Sequence, residues 1–269
     1  MSTYFQDKVA VVTGGSEGIG KSLVDSLLAM GVKVATCARN QDRLYDLQVQ
    51  NSGKPLHTMV ADVSNESDCK RFIDSTINTF GNIDILINNA GISMKALVKD
   101  TALDTLRSVM EINFWGTVYC TKYALPHIIS RKGDIVGVSS IAGYRGLPGR
   151  SGYSASKFAM NGWLEALRTE LLETGVNVMW VAPGFTASNI RYEALNPKAT
   201  KSGKSSMDED KLMSSEECAQ HILRAVGRRK RTLILTATGW RTVFVNKIFP
   251  RIADRLLRKF YFKNGELVK

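Results

Sequence analysis

Residues 9–28, VAVVTGGSEGIGKSLVDSLL, give the clearest indication of the architecture of this chain. The segment begins with apolar, mostly β-branched residues, which indicate a buried strand, and it ends as an amphipathic helix. Between them lie glycines with the spacing GxxxGxG. Residues without a Cβ let the backbone turn tightly and approach a pyrophosphate, which then sits on the amides of the helix N-terminus. The candidate residues for this contact are Gly14, Ser16, Gly18, Ile19 and Gly20.

Strand-like and helix-like segments alternate along the rest of the chain. Further apolar runs lie at 32–37, 56–61, 83–88, 134–140, 176–181 and 232–238. Amphipathic stretches between them include 18–30, 66–80, 103–131, 152–174 and 215–227. The runs are apolar throughout rather than at alternate positions, as in a parallel sheet that is covered on both faces. The pattern predicts an α/β protein, a single-domain Rossmann-type doubly wound sheet of about seven parallel strands.

Composition and charge limit the class of protein. The chain has 269 residues, 44% of them hydrophobic, which is an ordinary globular composition. Its four cysteines lie far apart and its three histidines show no ligand spacing, so we predict a reducing compartment and no metal site. The polar N-terminus MSTYFQDK does not resemble a signal peptide, and no apolar run is long enough to span a bilayer. We therefore predict a cytoplasmic protein.

The positive charge of the chain is concentrated at its C-terminus. From Arg228 onward there are twelve Lys and Arg against Asp254 and Glu266, which is +10 of the total net charge of +11. A basic surface over the whole fold would suggest nucleic acid, whereas a basic tail on a nearly neutral body suggests a local role. We therefore predict no nucleic-acid partner.

The end of the second predicted strand bears on which dinucleotide is bound. An acidic residue here would hold the ribose hydroxyls of NAD, but this chain has Ala38 followed by Arg39. A guanidinium suits the 2′-phosphate of NADP, although Arg39 as a plain surface charge and the nearby Glu17 argue the other way. We favour NADP(H) over NAD(H). Asp62, followed by Val63, ends the third strand and is placed to bond the adenine edge or to cap the strand.

The segment GYSASKFAMNG, residues 152–162, places a phenol and an ammonium four residues apart. On a helix, Tyr153 and Lys157 would share one face. Tyrosine has a reference pKa near 10, and a neighbouring positive charge lowers it. Ser140 ends the fifth strand, and NNAG follows the fourth at the sheet edge where ligands of such folds bind.

TGGSEGIG, NNAG, Asn113, Ser140, YSASK and the Pro183–Gly184 pair occur together in one order and spacing. In this the chain resembles the short-chain dehydrogenase/reductase family over about residues 7–240. The resemblance implies that Tyr153 is the general acid, that Ser140 bonds the substrate oxygen, that Lys157 bonds the nicotinamide ribose and that Asn113 anchors a water. It also implies a set of cofactor contacts at Asn89, Ala90, Gly91, Tyr153, Lys157, Pro183, Gly184, Thr186 and Ser188.

Beyond the predicted catalytic and dinucleotide-binding domain, residues 1–240, lies an amphipathic tail, residues 241–269. Val245, Ile248, Phe249, Ile252, Leu256 and Phe260 would share one helical face, with Lys247, Arg251, Arg255 and Arg258 opposite and a break before Pro250. Such a helix either lies on a membrane surface, here the inner face, or packs on its own body or a sister subunit. Residues 196–214 are predicted to form a substrate flap.

The tail is similar to that of the lipid- and steroid-acting, 11-beta-hydroxysteroid-dehydrogenase-like branch of the family. That similarity implies an NADPH-dependent oxidoreductase for a small hydrophobic ketone or alcohol, and a homodimer or homotetramer. One alternative is a ketoacyl-carrier-protein reductase that uses the basic tail to bind an acidic partner. An alternative of another class is a non-catalytic NADP-binding scaffold or redox sensor.

Overall fold

The computed structural model describes residues 2–197, 200, 203 and 212–268. The predicted flap at 196–214 therefore lies largely outside the described residues. The strands of the central sheet are β1 (Val9–Thr13), β2 (Lys33–Ala38), β3 (Leu56–Val60), β4 (Ile85–Asn88), β5 (Asp134–Val138), β6 (Asn177–Ala182) and β7 (Thr232–Ile234). They pair in parallel in the order β3-β2-β1-β4-β5-β6-β7. The predicted doubly wound sheet of seven strands is confirmed.

Helices cover both faces of this sheet. They are α1 (Ser2–Phe5), α2 (Gly18–Ala29), α3 (Gln41–Gln50), α4 (Glu66–Phe80), α5 (Leu103–Met110), α6 (Gly116–Arg131), α7 (Ser151–Glu170), α8 (Ser215–Gly227), α9 (Ala237–Ile248) and α10 (Pro250–Tyr261). On one face, α2 and α8 bury residues such as Leu23 and Ile222. On the other, α4, α6 and α7 bury residues such as Phe72, Ile128 and Leu164. Both layers exclude water from the apolar strands, which is the main stabilisation of the fold.

Two strands are less buried than the sequence predicts. No residue of β3 is fully buried, and β7 is only half-buried. Both lie at the edges of the sheet, so each has only one neighbouring strand. The run predicted as a strand over 232–238 also stops at Ile234. Thr236 takes a left-handed φ of +69°, and its side chain accepts a hydrogen bond from Gly239 N that caps α9.

The helix predicted over 103–131 is continuous but not uniform. Between α5 and α6 the chain makes one π turn, Glu111–Trp115. Such turns are rare inside α-helices and are frequent at functional sites. This one places Asn113 in the buried interior against Ile92, which follows β4. The hydrophobic pattern gives no sign of the extra residue in this turn.

The strand order reverses between β1 and β4, where the chain crosses from one half of the sheet to the other. The carboxyl ends of β1, β4 and β5 lie at the same edge of the sheet, so the loops that follow these strands meet there. In open α/β sheets this switch point leaves a crevice that binds ligands.

The chain ends in α9, α10 and a short antiparallel hairpin of β8 (Phe262–Lys263) and β9 (Glu266–Leu267). Helix α9 stops at Ile248 and α10 starts at Pro250, so the predicted break before Pro250 is confirmed. Because α9 already begins at Ala237, the boundary predicted between residues 240 and 241 falls inside a helix.

Candidate active site

The loop between β1 and α2 forms a cradle of backbone atoms. Gly14 has a φ of +68°, a conformation that only glycine adopts at little cost. A Cβ at Gly20 would lie 2.1 Å from the carbonyl oxygen of Gly14. The same oxygen accepts a hydrogen bond from the side chain of Asn89 at 3.2 Å. The glycine loop and the first turn of α2 line an open cavity, which fits a pyrophosphate bound to the amides of that turn.

That cavity, of about 660 Å³, collects nearly all of the predicted site residues. Every predicted cofactor residue lines it, from Gly14 to Ser188, and so do Ser140, Tyr153 and Lys157. Asn113 is the exception, because it lies behind the wall of the cavity. Its Oδ1 accepts a hydrogen bond from Ile92 N at 2.8 Å, and its Nδ2 donates to Ile92 O and Ser156 Oγ, each at 2.9 Å.

At the adenine end, two arginines face two acids. Arg39 lies 3.9 Å from Asp62. Glu17 would repel a phosphate, but its charge is offset by an ion pair of 2.5 Å with Arg43. Asp62 Oδ1 accepts hydrogen bonds from the backbone and the hydroxyl of Ser64 at 2.9 and 2.7 Å. This is the strand-end capping role, and the contact of Asp62 with adenine stays a prediction.

At the other end, Ser140 and Tyr153 come together. Ser140 follows β5, and its Oγ accepts a hydrogen bond from Ala142 N at 3.1 Å. Tyr153 lies in the first turn of α7, half-buried, with its hydroxyl close enough to Ser140 for that side chain to affect its pKa. Lys157, one turn along, places Nζ 5.8 Å from the centre of the Tyr153 ring and donates to Val138 O at 2.8 Å. The predicted shared helical face of Tyr153 and Lys157 is therefore present.

The electrostatics of this pair differ from the sequence expectation, in which Lys157 lowers the pKa of Tyr153. Burial raises the pKa of Tyr153, opposed by the hydrogen bond from Ser140 and by the charges of Arg150 and Arg191. Burial also lowers the pKa of Lys157 to about 7. An amine that loses its proton near neutral pH supplies little charge, so desolvation is the larger effect on both groups.

The chain is similar in sequence to known proteins over most of its length. The family model of short chain dehydrogenases matches residues 8–198, well over half of the chain. The chain belongs to the short-chain dehydrogenase family. Mouse dehydrogenase/reductase SDR family member 7B is 34% identical over 262 residues, 94% of this chain and 81% of the mouse protein. The 11-beta-hydroxysteroid dehydrogenase-like 2 of Arabidopsis thaliana is 35% identical over 256 residues, 93% of this chain and 80% of the plant protein.

Solved structures share the fold at lower identity. A short chain dehydrogenase/reductase from Burkholderia phymatum, in complex with NAD, superposes with a TM-score of 0.83 at 19% identity, covering 93% of this chain and 96% of that one. An alcohol dehydrogenase from Thermococcus sibiricus, complexed with 5-hydroxy-NADP, gives 0.73 at 24% identity, covering 85% and 95%. One of these structures holds NAD and the other an NADP derivative. The fold alone therefore does not decide which dinucleotide a protein binds.

Several cavity residues of this short-chain dehydrogenase were not among the sequence candidates. They are Arg43, Arg150, Arg191 and the apolar residues Ile92, Leu147 and Phe185. Arg43 had a local signal, since it follows Arg39 by four residues at the start of α3. Arg150 had another, because it lies three residues before Tyr153. The rest are brought to the cavity only by the tertiary fold.

The tail of this short-chain dehydrogenase helps to build the substrate end. The ring of Phe185 stacks on that of Phe260 in α10, with centroids 6.3 Å apart. Tyr261 is buried, and its hydroxyl lies near Arg150. Asn246 of α9 donates to Tyr144 O at 3.0 Å, in the loop that joins Ser140 to Tyr153.

Most of the apolar face predicted for the tail is exposed, although Val245 is half-buried and Phe260 stacks on Phe185. Helix α10 packs inward with Ala253 and Tyr261 instead. The large apolar side chains left exposed, here called the apolar rows, are Trp240, Phe244, Ile248, Phe249, Ile252, Leu256 and Phe260. Their exposure runs from 38% at Phe260 to 60% at Phe244. No helix in the described parts of the chain is both long and apolar enough to span a bilayer.

Proposed function

We propose that this short-chain dehydrogenase is an NADPH-dependent oxidoreductase that reduces a hydrophobic, lipid- or steroid-like ketone, with Tyr153 as the general acid. The observation that supports it best is that Ser140 and Tyr153 lie next to each other in the same cavity as the glycine cradle. Acid–base groups and a dinucleotide site in one cavity are what hydride transfer to a carbonyl requires.

In the proposed reaction, Tyr153 gives its proton to the carbonyl oxygen of the substrate. When bound, a reduced nicotinamide supplies the hydride. Burial raises the pKa of Tyr153, so the hydroxyl keeps its proton until negative charge develops on the substrate oxygen. Ser140 hydrogen-bonds the same oxygen, and Lys157, with a pKa of about 7, returns a proton toward the phenol. Positioned acid–base groups typically contribute about 10²–10⁴-fold in rate.

A screen of ketones tests the proposal, from short keto acids to sphingoid and steroid ketones, with NADPH and NADH oxidation followed separately. Tyr153→Phe should reduce turnover by about 10²–10⁴-fold while dinucleotide binding, followed by cofactor fluorescence, is retained. Retained turnover in Tyr153→Phe would contradict the proposed acid. Tight NADPH binding without turnover of any ketone would favour the scaffold or sensor alternative.

The preference for NADPH is supported by Arg39 and Arg43 at the adenine end of the cavity. A guanidinium pairs well with a phosphate through two parallel hydrogen bonds. We expect the double variant Arg39→Ala, Arg43→Ala to lose about 10- to 100-fold in kcat/KM for NADPH, with little change for NADH. An equal loss for both cofactors would contradict a role for these arginines in cofactor selection.

Peripheral contact with the inner face of a membrane is supported by the apolar rows beside basic residues such as Arg251, Arg255 and Arg258. Exposed apolar patches mark interaction sites on many proteins. Each basic residue near an anionic membrane surface adds about 1 kcal/mol to the binding free energy. Phe260 belongs to the apolar rows and stacks on Phe185 of the cavity. A lipid-borne substrate would therefore enter beside the contact surface.

Vesicle flotation tests the membrane proposal with point variants, because removal of the tail would also remove contacts to the active-site loop. The intact protein should float with vesicles that contain phosphatidylglycerol and less with neutral phosphatidylcholine vesicles. The triple variant Trp240→Ser, Phe244→Ser, Leu256→Ser should remain at the bottom of the gradient. Equal flotation of both proteins would exclude the apolar rows as the contact.

A homodimer or homotetramer is supported by apolar side chains exposed along the long helices, away from the tail. Trp115, just before α6, and Phe158 in α7 are 41% and 46% exposed. Sedimentation velocity should give a dimer or tetramer, and Phe158→Asp should shift it toward the monomer. A monomer at micromolar concentration would contradict this proposal.

A further inference from the structure

We propose that the ketone substrate carries an anionic group, a carboxylate or a phosphate, and that Arg150 binds it. This inference rests on the proposed function and narrows its substrate class. Its starting point is the position of Arg150. This residue lines the cavity and is the N-cap residue of α7, three residues before Tyr153.

Arg150 is half-buried and is held by neutral groups only. Its Nη1 donates to Ser93 Oγ at 2.9 Å and lies 3.4 Å from Met94 O. The hydroxyl of Tyr261, from α10, also lies near this guanidinium. Within residues 2–197 and 212–268, no carboxylate forms an ion pair with Arg150. The positive charge is therefore fixed in place at the cavity wall and is not neutralised by a carboxylate in the described part of the chain.

Further charged side chains lie around Arg150. Arg191 lines the same cavity, is only 8% exposed and donates Nη2 to Thr186 O at 2.8 Å. Burial and the charge of Arg150 lower the pKa of Lys95. The first turn of α7 contains no acid to oppose the positive end of the helix dipole. Glu193 is the acid that lines this part of the cavity.

The two acids at the adenine end are engaged elsewhere. Glu17 pairs with Arg43, and Asp62 caps the loop at Ser64 and faces Arg39. The cradle at Gly14 and Gly20 contacts Asn89 and shares no hydrogen-bonding partner with Arg150. The charge at Arg150 is therefore separate from the site that fits the phosphates of the dinucleotide.

A half-buried guanidinium that faces neutral acceptors loses hydration without gaining an opposite charge. A carboxylate or a phosphate supplies that charge through two parallel hydrogen bonds. Arg150, the N-cap residue of α7, and Tyr153, in the first turn of that helix, line the same cavity. An anion on Arg150 would hold the ketone so that its carbonyl lies against Tyr153 and Ser140.

Matched pairs of compounds test the inference directly. One set comprises keto acids with increasing spacing between carbonyl and carboxylate, each paired with its methyl ester. A second set comprises keto alkyl phosphates, each paired with the corresponding alcohol, which distinguishes the two anion types. KM and kcat are measured for the intact protein, Arg150→Gln and Arg150→Lys.

We expect the intact protein to prefer the anionic member of at least one pair. Arg150→Gln should raise KM for that compound by about 10- to 100-fold and leave its neutral partner within about threefold. Arg150→Lys should recover part of the loss because it retains the charge. Arg145→Gln is the control. Arg145 lies in the same loop as Arg150 and pairs with Asp254 of α10, but it does not line the cavity. It should affect both members equally.

Binding to Tyr153→Phe keeps the inference separate from the proposed reaction. Calorimetric titration of that variant with the same pairs, with and without Arg150→Gln, needs no turnover. Tighter binding of the anionic member that disappears in Arg150→Gln supports the inference even if no ketone is reduced. Equal binding of both members, or equal loss of both in Arg150→Gln, overturns it and assigns Arg150 a structural role.

Discussion

Replacing Lys157 with methionine should remove activity and yet make the protein more stable at low pH. Lys157 is buried, and its hydrogen bond to Val138 O at 2.8 Å does not offset the lost hydration of an ammonium. Methionine has nearly the same length and carries no charge. The exchange therefore separates the chemical use of the amine from the free energy required to bury it.

The pKa of Lys157 sets the magnitude and the pH range. Burial lowers it from 10.5 to about 7, and at 1.36 kcal/mol for each tenfold change in proton affinity this is a penalty of about 5 kcal/mol. The unfolded chain keeps this proton up to a higher pH than the native protein does. Below about pH 7 both states are protonated, and the native state bears the full penalty for the buried charge. It declines as pH rises from about 7 and is gone above about pH 10.5.

Loss of the hydrogen bond to Val138 should offset about 1–2 kcal/mol of this gain. At about pH 6 we therefore expect Lys157→Met to be more stable than the intact protein by about 3 kcal/mol. That corresponds to about 6–12 °C in Tm for a domain of this size. Between about pH 6 and pH 9 the advantage should shrink by about 3 kcal/mol.

Urea unfolding of the cofactor-free protein, followed by circular dichroism at both pH values, measures this difference. Lys33→Met is the matched control, because Lys33 lies exposed at the start of β2. Its effect should not depend on pH in this range. A Lys157→Met variant that is less stable than the intact protein at pH 6, or a difference that stays constant with pH, would refute the reasoning.

Three further substitutions probe other parts of the structure. Gly20→Ala should abolish dinucleotide binding in calorimetry, because its Cβ would lie 2.1 Å from Gly14 O. Asn113→Ala should lower the free energy of unfolding by about 2–4 kcal/mol, measured in urea, because it removes a buried side chain that bonds both backbone groups of Ile92 and the hydroxyl of Ser156. Asp134→Ala should lower it by about 2–4 kcal/mol and leave KM unchanged, because Asp134 bonds Tyr4 and Asn177 outside the cavity.

The sequence predicted the sheet, and its candidate cofactor residues line one cavity, because both depend on local chemistry. A strand that is covered on both faces must be apolar throughout, and a backbone that approaches a phosphate must lack Cβ atoms. The glycine loop, the NNAG segment and the YSASK segment each carry such a constraint over a few residues. Their positions in the chain then place them at the carboxyl edge of a parallel sheet.

What the sequence did not predict depends on burial and on contacts between distant segments. Spacing placed Lys157 beside Tyr153, but only the fold shows that desolvation raises one pKa and lowers the other. The π turn around Asn113 leaves no trace in the hydrophobic pattern. Arg150 reads as an ordinary loop residue until Ser93 and Tyr261 are brought against it.

The two ends of the described chain differ in how they tolerate an added affinity tag. Leu267 packs on Gly149, and Lys95 Nζ donates to Val268 O at 3.2 Å, next to the loop that leads into α7. A tag fused behind these residues would press on the entrance to the cavity and distort kinetic constants. Tyr4, in contrast, lies against Asp134 at the amino end of β5. Purification handles and surface-immobilisation anchors therefore belong at the N-terminus, where they leave the carboxyl edge of the sheet free.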